Sequence, residues 1–257
     1  MPSLPCRSFV LCVTLFGALS PAIAQVCRKH SPPHTVALLE LYTPEGCSSC
    51  PPADRFVSNL SATRSPELGL DQVVPLSLHV DYWNDIGWQD RFSQPLFTQR
   101  QRWLSGLVGS RTIYTPEMFV GGHELRRWSS GTRTAIEQIN ARPAQAAITI
   151  AIGAVANNAV PTDITATSAK NGSLYIALYE NALTTYVKAG ENRGVQLHHD
   201  YVVRQWIGPV PLVGGSVSIK RTLPYPSAAR RDHLGVAAFV QSEQGEILQA
   251  LALPACS

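Results

Sequence analysis

The chain has 257 residues, of which 45% are hydrophobic and 15% are charged, and its formal net charge is +3. With a mean hydropathy of +0.00, this composition predicts a globular protein of one large or two ordinary domains and excludes a disordered chain. The small positive charge is spread along the sequence without a dense Lys/Arg stripe, so we expect no nucleic-acid partner.

The first 24 residues have the pattern of a secretory signal peptide. Arg7 supplies a positive charge, an apolar stretch follows over residues 8–19, and Ala22 and Ala24 fit a cleavage site. The stretch is short for a membrane span, which needs about 20 residues. We therefore expect cleavage near Ala24, a periplasmic or secreted mature protein and no membrane partner; an uncleaved membrane anchor is the alternative.

Cysteine usage fits an oxidising compartment. Two of the six cysteines lie within the predicted signal peptide, which leaves an even number in the mature chain. Cys47 and Cys50 are close enough in sequence to pair with each other. Cys27 and Cys256 are left near the two ends, and we predict a structural disulfide between them. Two free buried thiols are the alternative.

The order of elements predicts two different halves. Strands are predicted over residues 36–41, 73–80 and around 118–120, and helices from near residue 47, over 95–108 and around 135–139. This alternation predicts an α/β domain over residues 35–142. After residue 143, short β-like runs punctuated by Gly, Pro and Asn predict an antiparallel, sandwich-like β domain over residues 143–254.

The motif CSSCPPAD places Cys47 and Cys50 where the first predicted strand ends and the first helix begins. Unpaired backbone N–H groups at a helix start favour a thiolate over a thiol. We therefore expect Cys47 to be an exposed, acidic nucleophile and Cys50, one turn further on, to form a disulfide with it. Pro51 and Pro52 suit the first helical turn, where their missing N–H costs nothing.

A C-x-x-C between a strand and a helix resembles the site of thioredoxin. The segment IYTPEMFVGG, residues 113–122, adds to the resemblance, because a cis-proline that faces the dithiol begins a strand in the thioredoxin fold. The resemblance implies that the Thr115–Pro116 bond is cis, that Pro116 shapes a substrate groove beside the cysteines, and that Thr115 forms a wall of the site.

A closer resemblance covers nearly all of residues 35–253. It rests on the segments ELYTPEGCSSCPPAD, LHVDYWNDIGWQD, FTQRQR, YTPEMFVGG and ENRGVQLHHDYVVR. These are similar to a family of secreted bacterial thioredoxin-like proteins known only as a domain of unknown function, family 1223. The resemblance implies a thioredoxin-like fold and carries no established substrate or reaction.

One position departs from the thioredoxin pattern. Thioredoxins carry a buried acid six positions before the first cysteine, and Leu41 occupies that place here. Glu40 is one residue away and should face the other side of its strand. We keep Glu40 as a candidate proton acceptor, with a structural pairing as the alternative. His79 and Asp81, at the end of the second strand, are further candidates to accept a proton or line the site, or else to fix the loop.

Three function classes are open. Thiol–disulfide exchange on protein thiols or disulfides leads, with Cys47, Cys50 and Pro116 as catalytic residues and an unidentified redox partner. The absence of a G-x-G-x-x-G motif predicts no bound dinucleotide, so we expect no cofactor and a supply of electrons from another protein. A carrier of copper(I) or another soft metal would use the same two cysteines, although we predict no resident metal site. A binding protein with a structural disulfide is the third class.

Overall fold

A computed structural model describes residues 26–60 and 68–255. The predicted signal peptide and Cys256 lie outside the described residues. The described part forms fourteen β-strands and three α-helices. The strands are β1 (Cys27–His30), β2 (Ala37–Thr43), β3 (Val73–His79), β4 (Glu117–Val120), β5 (His123–Glu124), β6 (Ala146–Ile152), β7 (Ala159–Ser168), β8 (Ser173–Glu180), β9 (Leu183–Tyr186), β10 (Gln196–His199), β11 (Val202–Pro211), β12 (Ser216–Pro224), β13 (Leu234–Gln241) and β14 (Ile247–Pro254). The helices are α1 (Pro51–Leu60), α2 (Pro95–Leu107) and α3 (Trp128–Asn140).

The strands form three sheets. The largest is an eight-stranded mixed sheet in the order β14-β13-β8-β11-β3-β2-β4-β5. A four-stranded antiparallel sheet has the order β1-β6-β7-β12, and β9 and β10 pair as a separate hairpin. Among the described residues, no helix is both long and apolar enough to cross a membrane.

The predicted fold class, an α/β thioredoxin-like domain followed by a separate sandwich, is wrong. The described chain is mostly β, and strands from before and after residue 143 lie in one mixed sheet. The connection is the parallel pairing of β11 with β3, in which Val202 lies opposite Ser77. All seven residues of β3 are buried, so their apolar pattern gives no information about which strand pairs at each edge. The predicted domain limits stay a prediction.

Helices cover both faces of the large sheet around β2. Successive side chains of a strand point to opposite faces. Thr43 donates a hydrogen bond to Asp54 of α1, whereas Glu40 accepts hydrogen bonds from Arg100 of α2. Phe56 of α1 contacts Trp128 of α3, with ring centroids 5.2 Å apart. Helices α1 and α3 therefore share one face and α2 lies on the other.

Two hydrophobic cores result from this layering. The first packs around β2, β3 and β4 and includes Phe97 of α2 and Ile136 of α3. The second lies between the four-stranded sheet and strands β8, β13 and β14, with Ile150 and Val236 among its fully buried members. The first core fixes the end of β2, and hence the start of α1, where the cysteines lie.

Candidate functional site

The two cysteines lie in the turn that joins β2 to α1. Cys47 and Cys50 are disulfide-bonded, with their Cα atoms 5.4 Å apart. The Cys50 carbonyl accepts the N–H groups of Ala53 and Asp54, which begins the helical hydrogen-bond pattern. Neither cysteine is exposed to solvent, each at 0%. The expected exposure of Cys47 is therefore wrong for the disulfide form.

The segment before β4 lies directly against the first cysteine. The Thr115 carbonyl oxygen is 3.8 Å from Cys47 Sγ and accepts a hydrogen bond of 3.5 Å from Ser49 Oγ. The peptide bond between Thr115 and Pro116 is cis, as predicted. The structure thus brings Thr115 and Pro116 together with the cysteine pair, although the roles predicted for them stay predictions.

A hairpin tip covers the pair. Residues 187–195, which join β9 to β10 and which we call the cap, reach over the cysteine turn. The Nδ2 atom of Asn192 donates to the carbonyl oxygens of Glu45 at 2.8 Å and Cys47 at 2.9 Å. Asn192 is only 5% exposed, so its two hydrogen bonds lie within the closed contact between cap and turn.

The cap also places a negative charge at the start of α1. Glu191 Oε2 accepts hydrogen bonds from the Ser48 backbone N–H at 2.9 Å and from Ser48 Oγ at 2.7 Å. These bonds hold the pKa of Glu191 below its usual value. Glu191 therefore holds its carboxylate against the turn that joins Cys47 to α1.

Glu40 is engaged by α2 on the opposite face of the sheet. Its carboxylate accepts hydrogen bonds from Arg100 Nε at 2.5 Å and Arg100 Nη2 at 3.1 Å, and from the Tyr42 hydroxyl. Arg100 also donates to Gln241 and lies over the Trp206 ring. The structure therefore gives Glu40 a buried ion pair and does not bring it to the cysteines.

Asp81 and His79, near the end of β3, have different hydrogen-bond partners. Asp81 accepts a hydrogen bond of 2.5 Å from Thr98 Oγ1, which fixes the loop before α2. His79 is fully buried, and its Nδ1 lies 2.6 Å from Asp90 Oδ2. Burial acts to lower the pKa of His79, but the facing Asp90 more than offsets it and raises the pKa above its usual value.

His79 belongs to a buried set of two imidazoles and three carboxyl groups, which we call the acid–imidazole cluster. Its members are Glu45, Asp54, His79, Asp90 and His199, each no more than 5% exposed. His199 Nε2 lies 3.6 Å from Glu45 Oε1, and His199 Nδ1 lies 3.9 Å from Asp54 Oδ2. The rings of His79 and His199 are 5.0 Å apart, edge to face.

The carboxyl groups of the cluster differ in their pKa shifts. Burial raises the pKa of Asp54, and the nearby His199 and His79 offset this only in part. Burial also acts on Asp90 and Glu45, but His79 in the first case and His199 in the second help to hold the pKa below its usual value. Among the three acids, Asp54 is thus the one whose pKa is raised.

Sequence reasoning missed most of this cluster. It singled out His79 and overlooked Glu45, Asp54 and Asp90. One signal was present: Asp54 follows Cys50 by four residues, so it lies one turn into the helix that the cysteine turn leads into. His199 carried no such signal, because it reaches the site from a distant hairpin.

These features define a mostly β protein with a C-x-x-C disulfide just before a helix. A hairpin cap covers the disulfide, and a buried cluster of carboxyl groups and imidazoles lies next to it. The chain belongs to the family described as protein of unknown function DUF1223, whose model matches residues 38–241. A comparison with curated proteins finds no match.

A solved structure shares the fold. The X-ray crystal structure of a protein from Agrobacterium tumefaciens is similar with a TM-score of 0.59 and 22% sequence identity, over 87% of this chain and 96% of that chain. At this identity the likeness concerns the fold alone.

Proposed function

We propose that the protein exchanges thiols and disulfides through Cys47 and Cys50. The observation that carries the proposal is the position of the pair: the two cysteines are bonded to each other in the turn that leads into α1, near the positive end of the helix dipole, and Cys47 lies against the Thr115 carbonyl. The signal-peptide pattern supports activity in the periplasm or outside the cell.

The proposed exchange has two steps. In the reduced protein, the Cys47 thiolate attacks one sulfur of a substrate disulfide, forms a mixed disulfide and releases the other substrate sulfur as a thiolate. Cys50 then loses its proton and attacks Cys47 Sγ, which releases the second substrate thiolate and forms the Cys47–Cys50 disulfide. Two electrons pass from the pair to the substrate. The reverse sequence, driven by a substrate dithiol, oxidises that dithiol and reduces the pair.

Trapping tests the proposal. Cys50→Ser should accumulate a mixed disulfide at Cys47 with protein thiols or with glutathione, because the second step cannot occur. Cys47→Ser is the matched control and should accumulate far less. A redox titration of the purified wild type in glutathione buffers should show reversible opening of the pair. Equal trapping by the two variants, together with a pair that glutathione leaves closed, would contradict the proposal.

A structural disulfide is the competing function, and the complete burial of both cysteines favours it. In that case the family's role would be binding, and the pair would resist reduction by glutathione under native conditions. The same titration separates the two functions. The metal content of the reduced protein tests the third class, a carrier of copper(I) or another soft metal.

A further inference from the structure

Asp54 is placed to meet Cys50. Cys50 comes immediately before α1, and Asp54 lies one turn further on within the helix. The Asp54 backbone N–H donates to the Cys50 carbonyl, and the Asp54 Cβ is tilted back towards the turn that holds Cys50. Asp54 is 5% exposed and Cys50 is 0% exposed. Asp54 Oδ2 accepts from Thr43 Oγ1, whereas Oδ1 is buried without a hydrogen-bond partner. One oxygen of the Asp54 carboxyl group is therefore buried without a partner, one helical turn from Cys50.

The rest of the cluster favours proton storage over metal binding. His199 faces Glu45 with one ring nitrogen and Asp54 with the other, so a single cation cannot sit between the imidazole and both carboxylates. Within residues 26–60 and 68–255, no group of three or more His, Cys, Asp or Glu side chains is arranged to hold a metal ion. The buried nitrogens of His199 and the Nε2 atom of His79 have no hydrogen-bond partner.

The charges of the acid–imidazole cluster also favour one additional proton on a carboxyl group. The cluster contains three carboxyl groups, those of Glu45, Asp54 and Asp90, and two imidazoles, those of His79 and His199. With both imidazoles protonated and all three carboxyls ionised, the buried net charge is 2 − 3 = −1. Burial of an uncompensated charge is costly, so one further proton on a carboxyl group brings the cluster to neutrality.

We propose that Asp54 transfers the proton of Cys50, and that His199, held by Glu45, positions and tunes Asp54 for this transfer. This inference rests on the proposed function. When the mixed disulfide is resolved, the Cys50 thiol gives its proton to the Asp54 carboxylate, the new thiolate attacks Cys47 Sγ, and the substrate leaves as a thiolate. When a substrate thiolate opens the pair by attack on Cys47, Cys50 leaves and takes the proton back from Asp54. The raised pKa of Asp54 in the disulfide form is consistent with a proton held there.

The test isolates the resolving step. Reduced protein is mixed with the aromatic disulfide 5,5′-dithiobis(2-nitrobenzoate), which releases one coloured thiolate when Cys47 reacts and a second when Cys50 resolves the adduct. In Asp54→Asn, the second release should be slower by about tenfold or more at pH 7, within the range of general acid–base effects. The first release should be unchanged.

The pH dependence separates proton transfer from a structural defect. The deficit of Asp54→Asn should shrink as the pH approaches and passes the ordinary thiol pKa of about 8.5, because solvent then removes the Cys50 proton. A structural defect would slow the step at every pH. His199→Gln removes a group that lowers the pKa of Asp54, so Asp54 should lose its proton at a higher pH in this variant. The pH range in which the second thiolate release is slow should therefore extend to higher pH. The other charged groups that act on Asp54 are His79 and Asp90, and both are retained.

Controls make each outcome decisive. Asp163→Asn, on the four-stranded sheet, should match the wild type. If the wild type releases only one thiolate, the proposed function fails. If the wild type releases both and Asp54→Asn follows the same pH profile, only the present inference fails. If Asp54→Asn does not fold, difference infrared spectroscopy of the wild type decides: reduction of the pair should remove a protonated-carboxyl band, and an unchanged carboxyl region would overturn the inference.

Discussion

Replacing Asn192 by Ala should destabilise the protein and open the cap above the cysteine pair. The Asn192 side chain donates to two carbonyl oxygens, those of Glu45 and Cys47. A hydrogen bond contributes about 1 kcal/mol net, and a buried group left unpaired costs about 1–3 kcal/mol. The two lost bonds therefore predict a decrease in the free energy of unfolding of about 2–4 kcal/mol, measured by urea denaturation.

Cap opening should appear as faster alkylation of the reduced cysteines. A tenfold change in an equilibrium corresponds to about 1.4 kcal/mol, so a loss of about 2 kcal/mol at the cap predicts iodoacetamide modification faster by about 10- to 100-fold in Asn192→Ala. Mass spectrometry of the quenched reaction should also show Cys47 modified before Cys50, because Cys47 is the attacking sulfur in the proposed exchange.

Asn140 offers a matched control. Its Nδ2 atom also donates to two carbonyl oxygens, those of Thr35 and Gln72, each at 2.9 Å. Asn140→Ala should therefore lose stability of a similar size, yet leave cysteine alkylation at the wild-type rate. The assignment of the cap as the barrier to cysteine alkylation would be refuted by either of two results. The cysteines of Asn192→Ala would react no faster than those of the wild type, or the cysteines of Asn140→Ala would react as fast as those of Asn192→Ala.

Three further predictions concern other parts of the chain. Arg100→Gln leaves Glu40 buried without its charged partner, and should lower the free energy of unfolding by about 3–5 kcal/mol without changing cysteine alkylation, because the pair lies on the other face of the sheet. Burial raises the pKa of Glu117 to about 6, above the value of 4.5 expected in the unfolded chain, so the native state binds a proton more readily than the unfolded state. The free energy of unfolding should therefore rise by about 1–2 kcal/mol as the pH falls from 7 towards 4.5. Urea titrations of Glu117→Gln should lack this rise. Cys27 is disulfide-bonded, and non-reducing peptide mapping should identify Cys256 as its partner; a Cys27 peptide joined to any other cysteine would disprove this pairing.

The parts of the site that could be predicted from the sequence are local. The helix predicted over residues 95–108 corresponds to α2, and the strand predicted over 73–80 corresponds to β3. The helix predicted from near residue 47, on apolar residues at helical spacing, corresponds to α1, which begins four residues later at Pro51. These features depend on neighbouring residues, whose spacing and backbone restrictions are visible in one sequence.

The parts that could not be predicted depend on pairing across long stretches of chain. The fold class was wrong because nothing in the apolar run of β3 indicates that β11 pairs with its free edge. The cap could not be foreseen for the same reason: Asn192 is 145 residues from its partner Cys47. The burial of His199 between two carboxyl groups likewise depends on where its hairpin docks, and the adjacent residues His198 and Asp200 predict no such position.

The long separation between Cys47 and Asn192 has a consequence for the order of assembly in time. A chain made from its N-terminus presents both cysteines long before the hairpin that covers them exists. Any oxidant present during that interval reaches the sulfurs freely, whereas after docking the same oxidant meets a closed surface. The oxidation state at the moment of docking is thus preserved until the hairpin lifts. The folded protein thus keeps the oxidation state that the Cys47–Cys50 pair had reached before the hairpin docked.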